Sequence, residues 1–205
     1  MNSLRIWLSV IAAPILIGAA HAKPKPPMLP ASTNDSSLDI LYEVGERPIW
    51  QTAQSNHRIQ YRLSLIGINC RIHVVTFSER NDGSASGEFK VWNRCSRDDA
   101  YDAQSFRLSA SKFASVKAAM AKAGLWQKPA SYWTVQPDEA ICVDGIDATF
   151  ERRDASDYQM DQSNVWCETT ADFVLAAHAV LEAAGDKDGF KLLPDVKSTA
   201  TQSKS

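Results

Sequence analysis

The chain has 205 residues, 44% hydrophobic and 22% charged, and its 22 Lys and Arg stand against 24 Asp and Glu. Charges of both signs are mixed along the whole length. That excludes the basic stripe demanded by nucleic-acid phosphates and the polybasic segment that holds a protein on an anionic membrane surface.

Met1 to Arg5 is a short positive start, Ile6 to Ala20 is almost wholly apolar, and Ala20-His21-Ala22 puts small residues at both positions a signal peptidase reads. This is the three-part pattern of a secretory signal, with cleavage expected after Ala22 and a periplasmic or secreted location. The alternative, an uncleaved anchor, fits less well: the apolar run contains Pro14 and is shorter than the ~20 residues of a membrane span. Lys23 follows, where a cysteine would have signalled a lipid anchor. Removing residues 1–22 takes away Arg5 and no acid, leaving 21 basic against 24 acidic residues, a net charge of −3.

Residues 23–37 carry Pro24, Pro26, Pro27 and Pro30, which fix φ and remove backbone donors, so the segment reads as an extended tether. Residues 38–194 have the size of one domain with one core. Residues 195–205 lack apolar periodicity and read as a disordered tail.

Within the domain, Ile59, Tyr61, Leu63 and Leu65 alternate with Gln60, Arg62 and Ser64, the pattern of a strand with one buried face. Cys70 and Cys95 then flank Asp82-Gly83, a hairpin signal because a two-residue type I′ turn needs positive φ at both central positions. A turn centred there pairs Cys70 with Cys95 and Val74 with Val91, and puts His73 beside Trp92 on the outer face. A helix follows, with Phe113, Val116 and Met120 as its buried stripe and Gly124-Leu125 as its end.

The Pro-bounded connection beyond it, "KPASYWTVQPDE", carries Tyr132 and Trp133. These form either a flat platform for a ligand or a plug where the chain crosses the sheet.

Cys142 and Cys167 bracket a second β-rich stretch in which Ile146, Ala148 and Phe150 alternate with Asp147, Thr149 and Glu151, and Tyr158 and Met160 alternate with Gln159 and Asp161. Matching those apolar faces requires a bulge at Gly145; alternatively Asp144-Gly145 is itself a turn and the strands form a meander. A second helix opens at Thr169, capped with Asp172, buries Phe173, Ala177, Val180, Leu181 and Ala184, and stops at Gly185. The fold class is therefore α+β: an antiparallel sheet of disulfide-stapled hairpins with two helices packed on one face.

Four cysteines allow three pairings, and hairpin geometry favours Cys70–Cys95 and Cys142–Cys167, each closing a loop worth about 3–4 kcal/mol. A zinc site would need a closely spaced Cys pair, which the chain lacks, so neither metal nor cofactor is expected. Asp82, with Ser84 and Ser86 after it, only partly imitates a calcium loop. His178 lies off its helix's apolar stripe and reads as solvated. No nucleophile elbow, paired-His zinc helix or phosphate-binding glycine loop is present.

The run "AGLW", then "CVDGIDATFE", then "YQMD" with a later Trp and an alanine-rich final helix, resembles small exported proteins of Gram-negative bacteria with no assigned function. Asp144-Gly145, Phe150-Glu151 and Tyr158 carry the likeness, over about the last third of the chain. It implies an exported protein and no catalytic residue. The expected function is a non-enzymatic binding or inhibitor-like module of the envelope, contacting a protein or glycan through Tyr132, Trp133 and Trp92. The alternative is an envelope hydrolase using the carboxylates Glu151 and Asp144.

Overall fold

The computed structural model describes residues 40, 41, 43–46, 49, 59–67, 70–95, 101–127, 145–155, 157–166 and 169–196. Their elements are β1 (Gln60–Gly67), β2 (Arg71–Glu79), β3 (Ala85–Asn93), β4 (Tyr101–Leu108), α1 (Ala110–Lys122), β5 (Ile146–Arg153), β6 (Tyr158–Asn164), α2 (Ala171–Ala184) and α3 (Lys187–Leu192). The strands form one antiparallel sheet of order β4-β3-β2-β1-β5-β6. The segments expected to be signal and tether, and Tyr132, Trp133, Asp144, Cys142 and Cys167, lie outside the described residues.

The alternation in β1 does bury Tyr61, Leu63 and Leu65 beneath the helices, with Val75, Phe77, Ala148 and Phe150 beside them. The aromatic rings tie the layers together. Tyr61 stacks on Phe77 at 5.2 Å, Phe113 of α1 meets Phe77 edge-on at 5.9 Å, and Phe173 of α2 meets Phe150 edge-on at 5.2 Å. Each such ring buried stabilises by about 1.5–3 kcal/mol. Burial also holds the Tyr61 hydroxyl above its ordinary pKa, with the Glu79 charge acting in the same direction.

Contrary to the one-faced strand expected, Arg62 and Ser64 on the other side of β1 are also buried. β1 is an inner strand, and a strap made by residues 40, 41, 43–46 and 49 lies on that second face. Leu41, with Ile40 and Val44, covers Ile66, Ile72, Val74 and Trp92, while Ile49 covers Tyr158 and Met160. Arg153 Nη1 donates to the Ile49 carbonyl (2.8 Å), and Glu46 and Glu43 pair with Lys90 (2.8 Å) and Arg94 (2.9 Å).

The first hairpin and its disulfide form, but one residue out of the expected register. Glu79 pairs with Ala85 and Ile72 with Trp92. The loop holds three residues: Gly83 N–H donates to the Arg80 carbonyl (3.1 Å), Arg80 N–H to the Ser84 carbonyl (2.9 Å), and only Gly83 (φ 77°) is left-handed. That is a type I turn followed by a glycine bulge, which spares Asp82 the positive φ a two-residue loop would impose. The Asp82 carboxylate accepts from Ser84 N–H (3.0 Å), and hydrogen bonding to Ser84 holds its pKa below the usual value.

The slip sets Cys70 opposite Arg94, whose N–H donates to the Cys70 carbonyl (2.7 Å). Cys70 adopts φ 63°, and the bridge to Cys95 closes with Cα atoms 5.4 Å apart. A left-handed cysteine thus absorbs the one-residue offset.

The second hairpin differs more. Phe150 pairs with Asp161 and Glu151 with Met160, so Tyr158 and Met160 lie on the strap face while Ile146, Ala148 and Phe150 face the helices. With both faces buried, the two strands need not share an apolar side. The hairpin closes through Asp154 N–H to the Asp157 carbonyl (3.0 Å).

α1 begins at Ser109, whose side chain accepts from Lys112 N–H (3.3 Å). It ends with Gly124 N–H bonded to the Ala121 carbonyl and Leu125 N–H to the Met120 carbonyl, the paired bonds of a Schellman cap. α2 is capped by Thr170 rather than Thr169, through Phe173 N–H at 3.2 Å, and ends in the same way at Gly185 (φ 81°). β4 and α3 were not anticipated.

Candidate functional site

At the disulfide-bearing end of the sheet, the end of β3, the start of β4 and the N-terminal half of α3 enclose a cleft of about 610 Å3. Its walls carry Arg71, Trp92, Asn93, Tyr101, Asp102 and Asp186, with Lys187, Asp188 and Lys191 on the α3 side. Trp92 and Tyr101 border this cleft at the sheet edge, but their pairing with each other and with Ile72 places both side chains on the strap face, away from α3. Trp92 is 4% exposed and backed by the strap, whereas Tyr101, 49% exposed, lies against it with ring centroids 5.1 Å apart. The Lys90 ammonium stands 5.3 Å from the Tyr101 ring and 5.8 Å from that of Trp92, an arrangement that attracts through the rings' negative faces. Lys90 loses some basicity to burial. The Glu46 hydrogen bond and charge outweigh that loss and, with Glu88, hold its pKa above the usual value.

The rim is charged and internally tied. Asp188 bonds Lys191 at 3.1 Å and lies 3.6 Å from Arg71. Hydrogen bonding and charge from Lys191 keep the Asp188 carboxyl below its ordinary pKa.

Behind the cleft, His73 corrects its sequence placement. Its position on β2 puts it opposite Val91, on the helical face rather than beside Trp92, and it is 1% exposed. Its Nδ1 donates to the Asp186 carboxylate at 2.8 Å, since a carboxylate only accepts. Asp186 also caps α3 by accepting from Gly189 N–H (2.9 Å). One side chain thus locks the α2–α3 corner, and with it one wall of the cleft, to the sheet.

Glu151, named for hydrolase chemistry, is fully buried in the strap face. It is ion-paired and hydrogen-bonded to Arg62 and accepts from the Tyr158 hydroxyl (2.8 Å). Glu46 lies 4.0 Å from the same guanidinium. Both Glu151 oxygens are engaged inside the protein, so among the described residues this carboxylate ties β5 to β1 and β6.

A second concavity of about 940 Å3, largely apolar, lies between α1, α2 and α3, with Leu175, Ala179, Phe190 and Leu193 on its floor. His178 belongs there and is not solvated as expected. It is half-buried against the Phe190 ring (centroids 4.1 Å), with Nε2 3.3 Å from the Pro194 carbonyl.

No group of three or more metal-ligating side chains occurs among the described residues, and no helix among them is long and apolar enough to cross a membrane. No protein-family model matches the chain, and no curated protein matches it.

Sequence reasoning missed Tyr101, Asp186 and the α3 cations because it assigned neither β4 nor α3. The alternation of Phe106 and Leu108 with Ser105 and Arg107 is the available signal for β4, and the Asp186-x-x-Gly189 spacing is the one for α3.

Proposed function

We propose that the chain is an exported, non-enzymatic binding module that holds a protein or glycan of the cell envelope in the cleft beside the Cys70–Cys95 bridge. One observation carries the reading: an exposed Tyr101 ring backed by Trp92 and Lys90 on the strap face, at the edge strand that borders a concave, charged-rimmed surface on the helix face. Rings of this kind give large contact area at small entropic cost, and charged rims orient polar ligands. The secretory signal and the disulfide support an extracytoplasmic setting, where such bridges persist.

The test is titration of the mature protein with soluble peptidoglycan fragments, other envelope oligosaccharides and purified envelope proteins, followed by tryptophan fluorescence. Tyr101→Ala weakens the bound ligand at least ~10-fold, the scale of losing one aromatic contact. Saturable binding that Tyr101→Ala and Arg71→Ala leave unchanged moves the site off this cleft. Turnover of any of these ligands removes the non-enzymatic reading.

A further inference from the structure

The hydrogen-bond parity of the sheet can be followed strand by strand. Arg80 N–H to the Ser84 carbonyl and Arg94 N–H to the Cys70 carbonyl set the even-numbered residues of β3 toward β2. Its odd-numbered residues therefore face β4, through the pairs Ala85–Leu108, Gly87–Phe106, Phe89–Gln104 and Val91–Asp102. On β4 the backbone groups of Tyr101, Ala103, Ser105 and Arg107 then point away from the sheet, and all four residues are exposed.

β4 is an edge strand of eight residues, paired along its whole length without a bulge, and it contains neither proline nor lysine. Proline, lysine and bulges are among the devices by which sheet proteins guard an edge, and of the charged kind β4 carries only Asp102 and Arg107. At the opposite edge, Tyr158, Gln162 and Asn164 of β6 each have further interactions.

We propose that this exposed edge pairs with the same edge of a second copy, antiparallel about a two-fold axis through Gln104. Parity allows only registers in which outward-facing residues meet each other. The register centred on Gln104 alone pairs them all, Tyr101 with Arg107 and Ala103 with Ser105 of the second copy, and the reverse. Small side chains stand near the axis, and each Arg107 guanidinium meets the exposed face of a Tyr101 ring, a favourable cation–aromatic contact. One edge strand is small beside the ~1,200 Å2 or more that stable complexes bury, so the association is weak and concentration-dependent.

Sedimentation equilibrium of the mature, disulfide-bonded protein from about 10 µM to about 1 mM is expected to show mass rising from monomer toward dimer. Ser105→Pro removes an outward N–H without touching the β3 ladder and abolishes the rise. Arg107→Glu, which alters no backbone bond, weakens the association at least ~10-fold, so the edge is tested even if the proline variant folds poorly. In this register Gln104 faces itself as a non-hydrogen-bonded pair, whose close Cα atoms suit a bridge. Gln104→Cys therefore forms an intermolecular disulfide under mild oxidation, while Asp102→Cys does not. A strictly monomeric protein at 1 mM, as a foreign strand's docking edge would give, overturns the proposal. So does a dimer indifferent to both Ser105→Pro and Arg107→Glu, or a bridge formed equally well from Asp102→Cys.

Discussion

Replacing Glu151 by Gln keeps the side chain's shape and its ability to accept from Tyr158, but removes the negative charge facing Arg62. The guanidinium is 1% exposed and the carboxylate 0%. At a separation of about 4 Å and an effective dielectric constant near 20, a unit ion pair is worth about 4 kcal/mol. Breaking a buried pair by removing one member costs about 3–5 kcal/mol, because the remaining charge stays desolvated. Glu46, 4.0 Å from Arg62 and partly solvated, offsets some of this and places the expected loss near the lower end, about 3 kcal/mol. Urea unfolding of the disulfide-intact protein, followed by far-UV circular dichroism, reads it directly. With an m-value of about 2 kcal/mol/M the midpoint falls by about 1.5 M. The double variant Arg62→Met/Glu151→Leu removes both charges and returns to within about 1 kcal/mol of the parent, since buried pairs seldom beat well-packed apolar groups. A midpoint for Glu151→Gln within about 0.3 M of the parent would refute the assignment of this pair as a buried structural contact.

Opening the Cys70–Cys95 bridge by the double change to Ala frees a loop with a sequence separation of 25, and the chain-entropy relation gives a loss of about 3.5 kcal/mol, measurable by the same urea titration. Gly87→Ala forces a Cβ to within 2.3 Å of the Thr76 carbonyl oxygen and 2.6 Å of Phe77 Cβ, so a loss of about 1–3 kcal/mol is expected in thermal unfolding; an unchanged midpoint would mean that β2 and β3 do not approach this closely. Alkaline pH should destabilise the fold. Tyr61 and Lys90 both have folded pKa values raised above their unfolded values of 10.0 and 10.5, so the stability they contribute is complete below those values and disappears as pH rises through the folded ones. Urea midpoints flat from pH 7 to 9 and falling above about 10.5 are the expected record, and a midpoint that rises there contradicts it. Peptide mapping without reduction is expected to recover Cys142 joined to Cys167, and Cys70 joined to Cys95.

The order of helices and paired strands was legible because it rests on local chemistry. The β1 alternation, the Phe113–Val116–Met120 stripe, the glycines that end α1 and α2, and the spacing of Cys70 and Cys95 around an Asp-Gly turn each act over a few residues or within one hairpin. Registers were not legible. Whether Asp82 or only Gly83 takes positive φ shifts the first hairpin by one residue, and the backbone of Cys70 absorbs the difference. Tyr158 and Met160 chose their side of β6 because a strap some hundred residues upstream buries the second face, a contact that alternation within one strand does not encode. The roles of His73 and Glu151 were settled in the same way, by Asp186 and Arg62 arriving from distant parts of the chain. β4 stayed hidden because an exposed edge strand needs little hydrophobicity, and its pairing with β3 supplies the order that its own side chains do not. The sequence by itself determined the first disulfide partner and the elements that carry the core. Only the tertiary structure decided which faces are buried, which charges are spent inside and where a cleft opens, because those depend on free energies of desolvation and pairing between residues remote along the chain.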